Sequence, residues 1–167
     1  MNDFDFLTGS WDVSHRRLVE RWVGSDDWDC FEGITTCEPR LGGIANVEQG
    51  DFPSRGRSGL ALRLFDPAAQ QWSIYWVDSG TGRLEPPVVG GFDGSVGIFE
   101  GVDTDQGRPI RVRFTWTVID ADHARWEQAF SATDPSATDP SVADPSAADG
   151  EWETNWTMDF TRRASTR

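Results

Sequence analysis

The chain has 167 residues, with 28 acidic side chains against 15 basic ones and a net charge of −13. All 15 basic residues are arginine, which excludes a Schiff-base lysine, a phosphate-loop lysine and a lysine general base. The acidic balance argues against nucleic acid or an anionic membrane as a partner, since both need a basic footprint.

The length predicts one domain over residues 1–167, large enough for its own core. Asp3 and Asp5 stand where a secretory signal would carry a basic segment. No apolar run reaches the length of a membrane-spanning helix, so the expected compartment is the cytoplasm. Asn2 to Leu7 predicts at most one short helical turn before Gly9. A first strand follows over about Ser10 to Glu20, placing Trp11, Val13, His15 and Arg17 on one face. Gly24 to Asp27 is a turn cluster, and a second strand runs from Trp28 to Glu38. Its two cysteines, Cys30 and Cys37, are the only ones in the chain. Seven positions apart in one strand, they face opposite ways at a separation of roughly 20 Å, too far for a disulfide. Two cysteines and two well-separated histidines, His15 and His123, also argue against a metal site.

Ile44 to Gln49 predicts a short third strand, with Asn46 and Glu48 on the face of Ile44. Asp51 to Gly59 reads as a loop, and Leu60 to Phe65 alternates up to the Asp66-Pro67 turn. Gln71 to Asp78 is strongly β, with Trp72, Ile74 and Trp76 on one face. Pro86-Pro87 interrupts the chain before Val88-Val89, and Val96 to Glu100 follows Gly94. Ile110 to Ile119 is the longest clean strand and sets Ile110, Val112, Phe114, Trp116 and Val118 inward. His123 to Ser131 aligns Trp126, Gln128 and Phe130. Glu151 to Arg162 sets Trp152, Trp156, Met158 and Phe160 inward against Glu153, Asn155, Thr157 and Asp159. Ten candidate strands without sustained helical periodicity predict an all-β fold. The architecture expected is a single antiparallel barrel of about ten strands with an internal cavity. Nine Trp and ten Phe supply rings large enough to fill so wide an interior.

Thr133 to Asp149 differs in kind. Its five-residue repeat around Asp134-Pro135, Asp139-Pro140 and Asp144-Pro145 is acidic, poor in apolar residues and unable to donate at each proline. The segment 133–149 is expected to be an extended or disordered insertion at the tip of the last hairpin, packed on nothing.

The segments FDFLTGSWDV, LGGIANVE, LRLFDPAAQQWSIYWVD, RLEPPVVGGF, RPIRVRFTW and RWEQAFS…EWETNWTMDF together resemble a bacterial family of calycin-like β-barrels whose function is unknown. The resemblance runs from Phe4 to about Arg162, with the repeat at 133–149 as its departure. The Gly9-x-Trp11 opening is also similar to lipocalin- and nitrobindin-type barrels, where a first-strand Trp closes the floor. What the resemblance implies is a fold and a cavity, not a reaction. Nitrobindin-type barrels hold haem through a histidine near the carboxyl end. The last strand here has none, so no haem or other cofactor is expected.

No G-x-S-x-G elbow, dinucleotide fingerprint or H-E-x-x-H helix is present. The candidate ligand contacts are polar and aromatic side chains in phase with the cavity: Trp11, His15, Arg17, Trp76, Trp116 and Gln128. Two readings of His15 and Arg17 stand open. In one they line the cavity, with Glu48 or Glu127 as the partner of Arg17. In the other the strand end leaves the barrel and both are solvated. Gln128 is equally a ligand contact or a satisfied core amide. The expected function is an intracellular barrel that binds a small, partly apolar ligand. The alternative is a cyclase or isomerase in which His15 is the acid/base and Arg17 stabilises an anion. A homodimer is compatible with the sequence.

Overall fold

The computed structural model describes residues 3–132 and 151–164. Ten strands run in chain order: β1 Gly9–Leu18, β2 Trp28–Arg40, β3 Ala45–Phe52, β4 Arg57–Asp66, β5 Gln71–Asp78, β6 Val88–Asp93, β7 Val96–Asp105, β8 Arg108–Val118, β9 His123–Ala132 and β10 Glu153–Arg162. Each pairs antiparallel with its neighbours in sequence, and β10 returns to β1 to close the barrel. Closure removes both sheet edges, so no strand is left with an unpaired side along its whole length. Helix is confined to three-residue 3-10 turns at Asp5–Leu7, Leu41–Gly43 and Pro53–Arg55 among the described residues. The expected repeat at 133–149 lies outside the described residues.

The amino-terminal turn explains how one end is shut. Phe4 and Leu7 are buried, and Phe4 packs edge-on against Trp72 and Phe92 at 5.1 Å between centroids. The Trp72 indole donates to Asp3 across 3.0 Å. Trp11 donates to the Leu7 carbonyl at 2.8 Å and meets Phe160 edge-on. A floor of large rings thus satisfies its indole donors on the turn itself, as buried polar groups require.

Three strands depart from the sequence expectation, β3 and β4 in extent and β10 in phase. The β3 and β4 ladders extend through Phe52 and back to Arg57, taking in residues read from the sequence as loop. Their Gly and Ser positions are weak strand formers individually, but pairing Gly50 with Gly59 and Ser58 with Asp51 supplies the ladder bonds. In β10 a bulge falls between Thr154 and Trp156. One extra residue reverses the facing of everything before it. Asn155, expected outside, is therefore buried. Trp152, expected inside, lies under Arg113 at 4.0 Å and Arg111 at 5.1 Å, both of which sit on the alternate positions of β8 to the buried Ile110 and Val112.

Candidate functional site

Above the floor the barrel interior holds a partly open pocket of about 40 Å³. Its walls come from six strands: Glu48 of β3, Ala61 and Arg63 of β4, Ile74 and Trp76 of β5, Phe114 and Trp116 of β8, Trp126 and Gln128 of β9, and Trp156 and Met158 of β10. A second cavity of about 30 Å³ shares Ile74, Trp76, Phe114 and Gln128 with the first and extends to Glu85, Pro86 and Asp103. Trp76 and Gln128 therefore belong to both chambers.

Arg63 is the charged centre of the first chamber. In the run Leu60 to Leu64 the leucines take the outer face, while Ala61 and Arg63 turn inward. Arg63 is 3% exposed. Its Nη1 donates to Asn46 across 3.0 Å, and its Nη2 forms a short salt bridge with Glu48. The planar guanidinium lies 4.9 Å over Phe4 and 5.5 Å over Trp116. Such a pair is tolerated in the interior because the carboxylate, an amide oxygen and two π-faces replace water. Asn46 is the register partner of Arg63 on β3, and Glu48 follows two residues on. The period of two thus assembles the triad from one hairpin.

The walls are held from behind. Trp76 lies across Gly59, where an added Cβ would fall 2.0 Å from the ring. Only a residue without a side chain lets the indole lie flat there. Trp76 meets Trp156 edge-on at 6.3 Å, and Trp126 meets Trp156 at 5.5 Å. Trp156 donates to His15 Nδ1 at 3.2 Å. His15 stacks on Phe31 at 4.6 Å and touches Phe52 edge-on. Burial pulls its pKa down to about 4, so the ring is neutral at pH 7. Gln128 donates to Asn155 at 2.8 Å, the residue that the bulge brings inside.

Charge collects at the open end. Arg17 lies 4.7 Å over the Trp156 ring. Loss of water around its guanidinium pulls its pKa below the usual value, with Arg21 adding repulsion and Asp78 and Glu85 opposing both. Glu85 is held above the usual carboxylate range, first by desolvation and then by Asp103, with Arg17 opposing. The 19–27 connection is bolted down beside this rim. Arg21 pairs bidentately with Asp105, whose pKa falls chiefly through that contact. Trp22 donates its indole to Asp105 and its backbone N–H to Glu153.

The residues expected at the site divide accordingly. Trp76, Trp116 and Gln128 line the first chamber. Trp11 lies in the floor, His15 is enclosed by Phe31, Phe52 and Trp156, and Arg17 stands exposed at the rim. None of those three lines either chamber. Glu48, expected as a partner for Arg17, is taken by Arg63, because Arg63 faces it across one hairpin while Arg17 sits at the far end of β1. Glu127 alternates with the inward Trp126 and Gln128 and lies on their opposite face. Reading the sequence did not single out Arg63 or Asn155 as site residues. For Arg63 a signal existed: an inward Glu48 demands a buried cation, and the paired strand offers one.

No protein-family model and no curated protein matches the chain. Among solved structures it is similar to one described as a redesigned β-barrel, at a TM-score of 0.50 and 11% identity over 98% of this chain and 96% of that one. At that identity the likeness concerns fold alone. Fold and topology place the chain among closed, antiparallel, ten-stranded β-barrels.

Proposed function

We propose that this barrel binds a small, partly apolar molecule in its two adjoining chambers. At ~10–15 Å³ for each water-sized site, the pair admits a ligand of about six non-hydrogen atoms. The observation that carries this reading is the wall composition: Trp76, Trp126 and Trp156 offer apolar faces, while Gln128, Arg63 and Glu48 offer a few fixed polar groups. Concave sites of that make-up are the usual small-molecule sites. Trp76, Trp116 and Gln128 would touch the ligand. His15 and Arg17 would act through Trp156, which one hydrogen-bonds and the other covers.

The alternative of a cyclase or isomerase gains no support from the placement of its acid/base pair. His15 is shut behind Trp156, and Arg17 stands at the rim over the same ring, outside both chambers. Membership of the calycin-like barrels is part of the same proposal, supported by Trp11 in a floor built on the amino-terminal turn. The exposed Cys30 and buried Cys37, both free thiols, fit a reducing compartment.

Native mass spectrometry of freshly expressed protein tests the binding reading. A co-purified adduct of small mass, released on denaturation, is the expected result. A bare protein mass, joined to a fragment screen that leaves the tryptophan fluorescence unchanged throughout, would overturn it.

A further inference from the structure

The first chamber carries two buried N–H groups that no protein acceptor meets. Among the described residues, Arg63 Nε and Trp116 Nε1 have no hydrogen-bond partner. Both side chains line the chamber, and they are 3% and 1% exposed. The other two nitrogens of Arg63 are engaged by Asn46 and Glu48, so Nε is the donor left over. The guanidinium carbon is 5.5 Å from the Trp116 ring centroid, so the two side chains that carry these donors meet in the barrel interior. Leaving two buried donors unmet is costly, and one charged donor doubly so.

We propose that Arg63 Nε–H and Trp116 Nε1–H form a two-donor site for a single neutral oxygen acceptor. The acceptor is the carbonyl oxygen of a small ketone, ester or amide. Its apolar part lies against Trp76, Trp126 and Trp156. Charge decides that the acceptor is neutral. Glu48 already cancels Arg63, so a carboxylate ligand would bury an unbalanced negative charge. A carbonyl oxygen carries two lone pairs and so can accept from both donors at once. The assignment rests on the cavity-binding reading above and names its ligand class.

Three probes of equal size and shape test it: 2-pentanone, 2-methyl-1-pentene and butanoate. The first two differ only in C=O against C=CH₂, and the third replaces the methyl by a charged oxygen. Each is titrated at pH 7 while the indole N–H resonances are followed by NMR, with Trp116 assigned from Trp116→Phe. The ketone is expected to bind about tenfold or more tighter than the alkene, the scale of one or two good hydrogen bonds. It should move the Trp116 indole signal, and butanoate should bind more weakly than the ketone. Equal affinity for ketone and alkene would overturn the acceptor site and leave the apolar cavity reading standing. Tightest binding of butanoate would overturn its neutrality. Binding of none would overturn both readings. In folded Trp116→Phe the ketone should lose its advantage over the alkene, whatever the change in affinity common to both. A retained advantage there would remove Trp116 from the site. Should that variant not fold, the three wild-type titrations decide.

Discussion

Trp156 donates an indole N–H hydrogen bond to Nδ1 of His15 across 3.2 Å, and that bond fixes the tautomer of His15. An indole nitrogen only donates, so Nδ1 must accept and the ring proton sits on Nε2. Protonation of His15 would put a charge between Phe31 and Phe52 and turn Nδ1 into a second donor facing Trp156.

The first prediction concerns pH. The folded pKa of His15, about 4, lies below its ordinary 6.5. Above pH 6.5 both folded and unfolded forms are neutral, and the stabilisation is fully present. As pH falls from 6.5 to 4 the unfolded chain takes up a proton that the fold refuses, and stability is lost. The loss from this group is about 3 kcal/mol. Urea unfolding at pH 7 and pH 4 should show wild type losing about that much more than His15→Phe, whose other titrations are shared. Equal losses would refute the neutral buried ring.

The Arg63–Glu48 pair leads to the second. Glu48→Gln leaves a guanidinium buried without its counter-charge and is expected to cost about 3–5 kcal/mol. The double variant Arg63→Met with Glu48→Leu removes both charges and should be much closer to wild type. Chemical denaturation of the three proteins measures the difference. A single variant as stable as the double would show that the charges are solvated.

Gly59 gives the third. An alanine methyl there would meet the Trp76 ring at 2.0 Å, and Trp156 stands behind it. Gly59→Ala should destabilise by about 1–3 kcal/mol, the range for overpacked sites. It should also shift the near-ultraviolet circular dichroism, since Trp76 must leave its seat. An unchanged spectrum would place the ring elsewhere.

The fourth concerns residues 133–149. β9 ends at Ala132 and β10 begins at Glu153, already paired with Phe130. Replacing 133–149 by Asn-Gly is expected to leave Tm unchanged or raise it, because a shorter loop costs less closure entropy. A marked fall in Tm would make the repeat structural.

Period-two alternation, turn residues and aromatic content were enough to read an all-β barrel of ten strands from the chain alone. They were enough because each signal is local: Trp72, Ile74 and Trp76 share a face whatever surrounds them. Trp76, Trp116 and Gln128 were in phase with the interior for the same reason. Tertiary structure decided the rest. Leu60 to Leu64 offers a leucine face and an Ala-Arg face, and only the closed barrel with Glu48 waiting opposite makes Arg63 the inward one. The bulge at Asn155 leaves no mark in composition, yet it exchanges Asn155 for Trp152 inside the barrel. His15 was rightly read as in phase with Trp11, but its neighbours Phe31, Phe52 and Trp156 come from three other strands. Desolvation by such distant rings is what makes it a neutral acceptor, and no pattern along β1 carries that information.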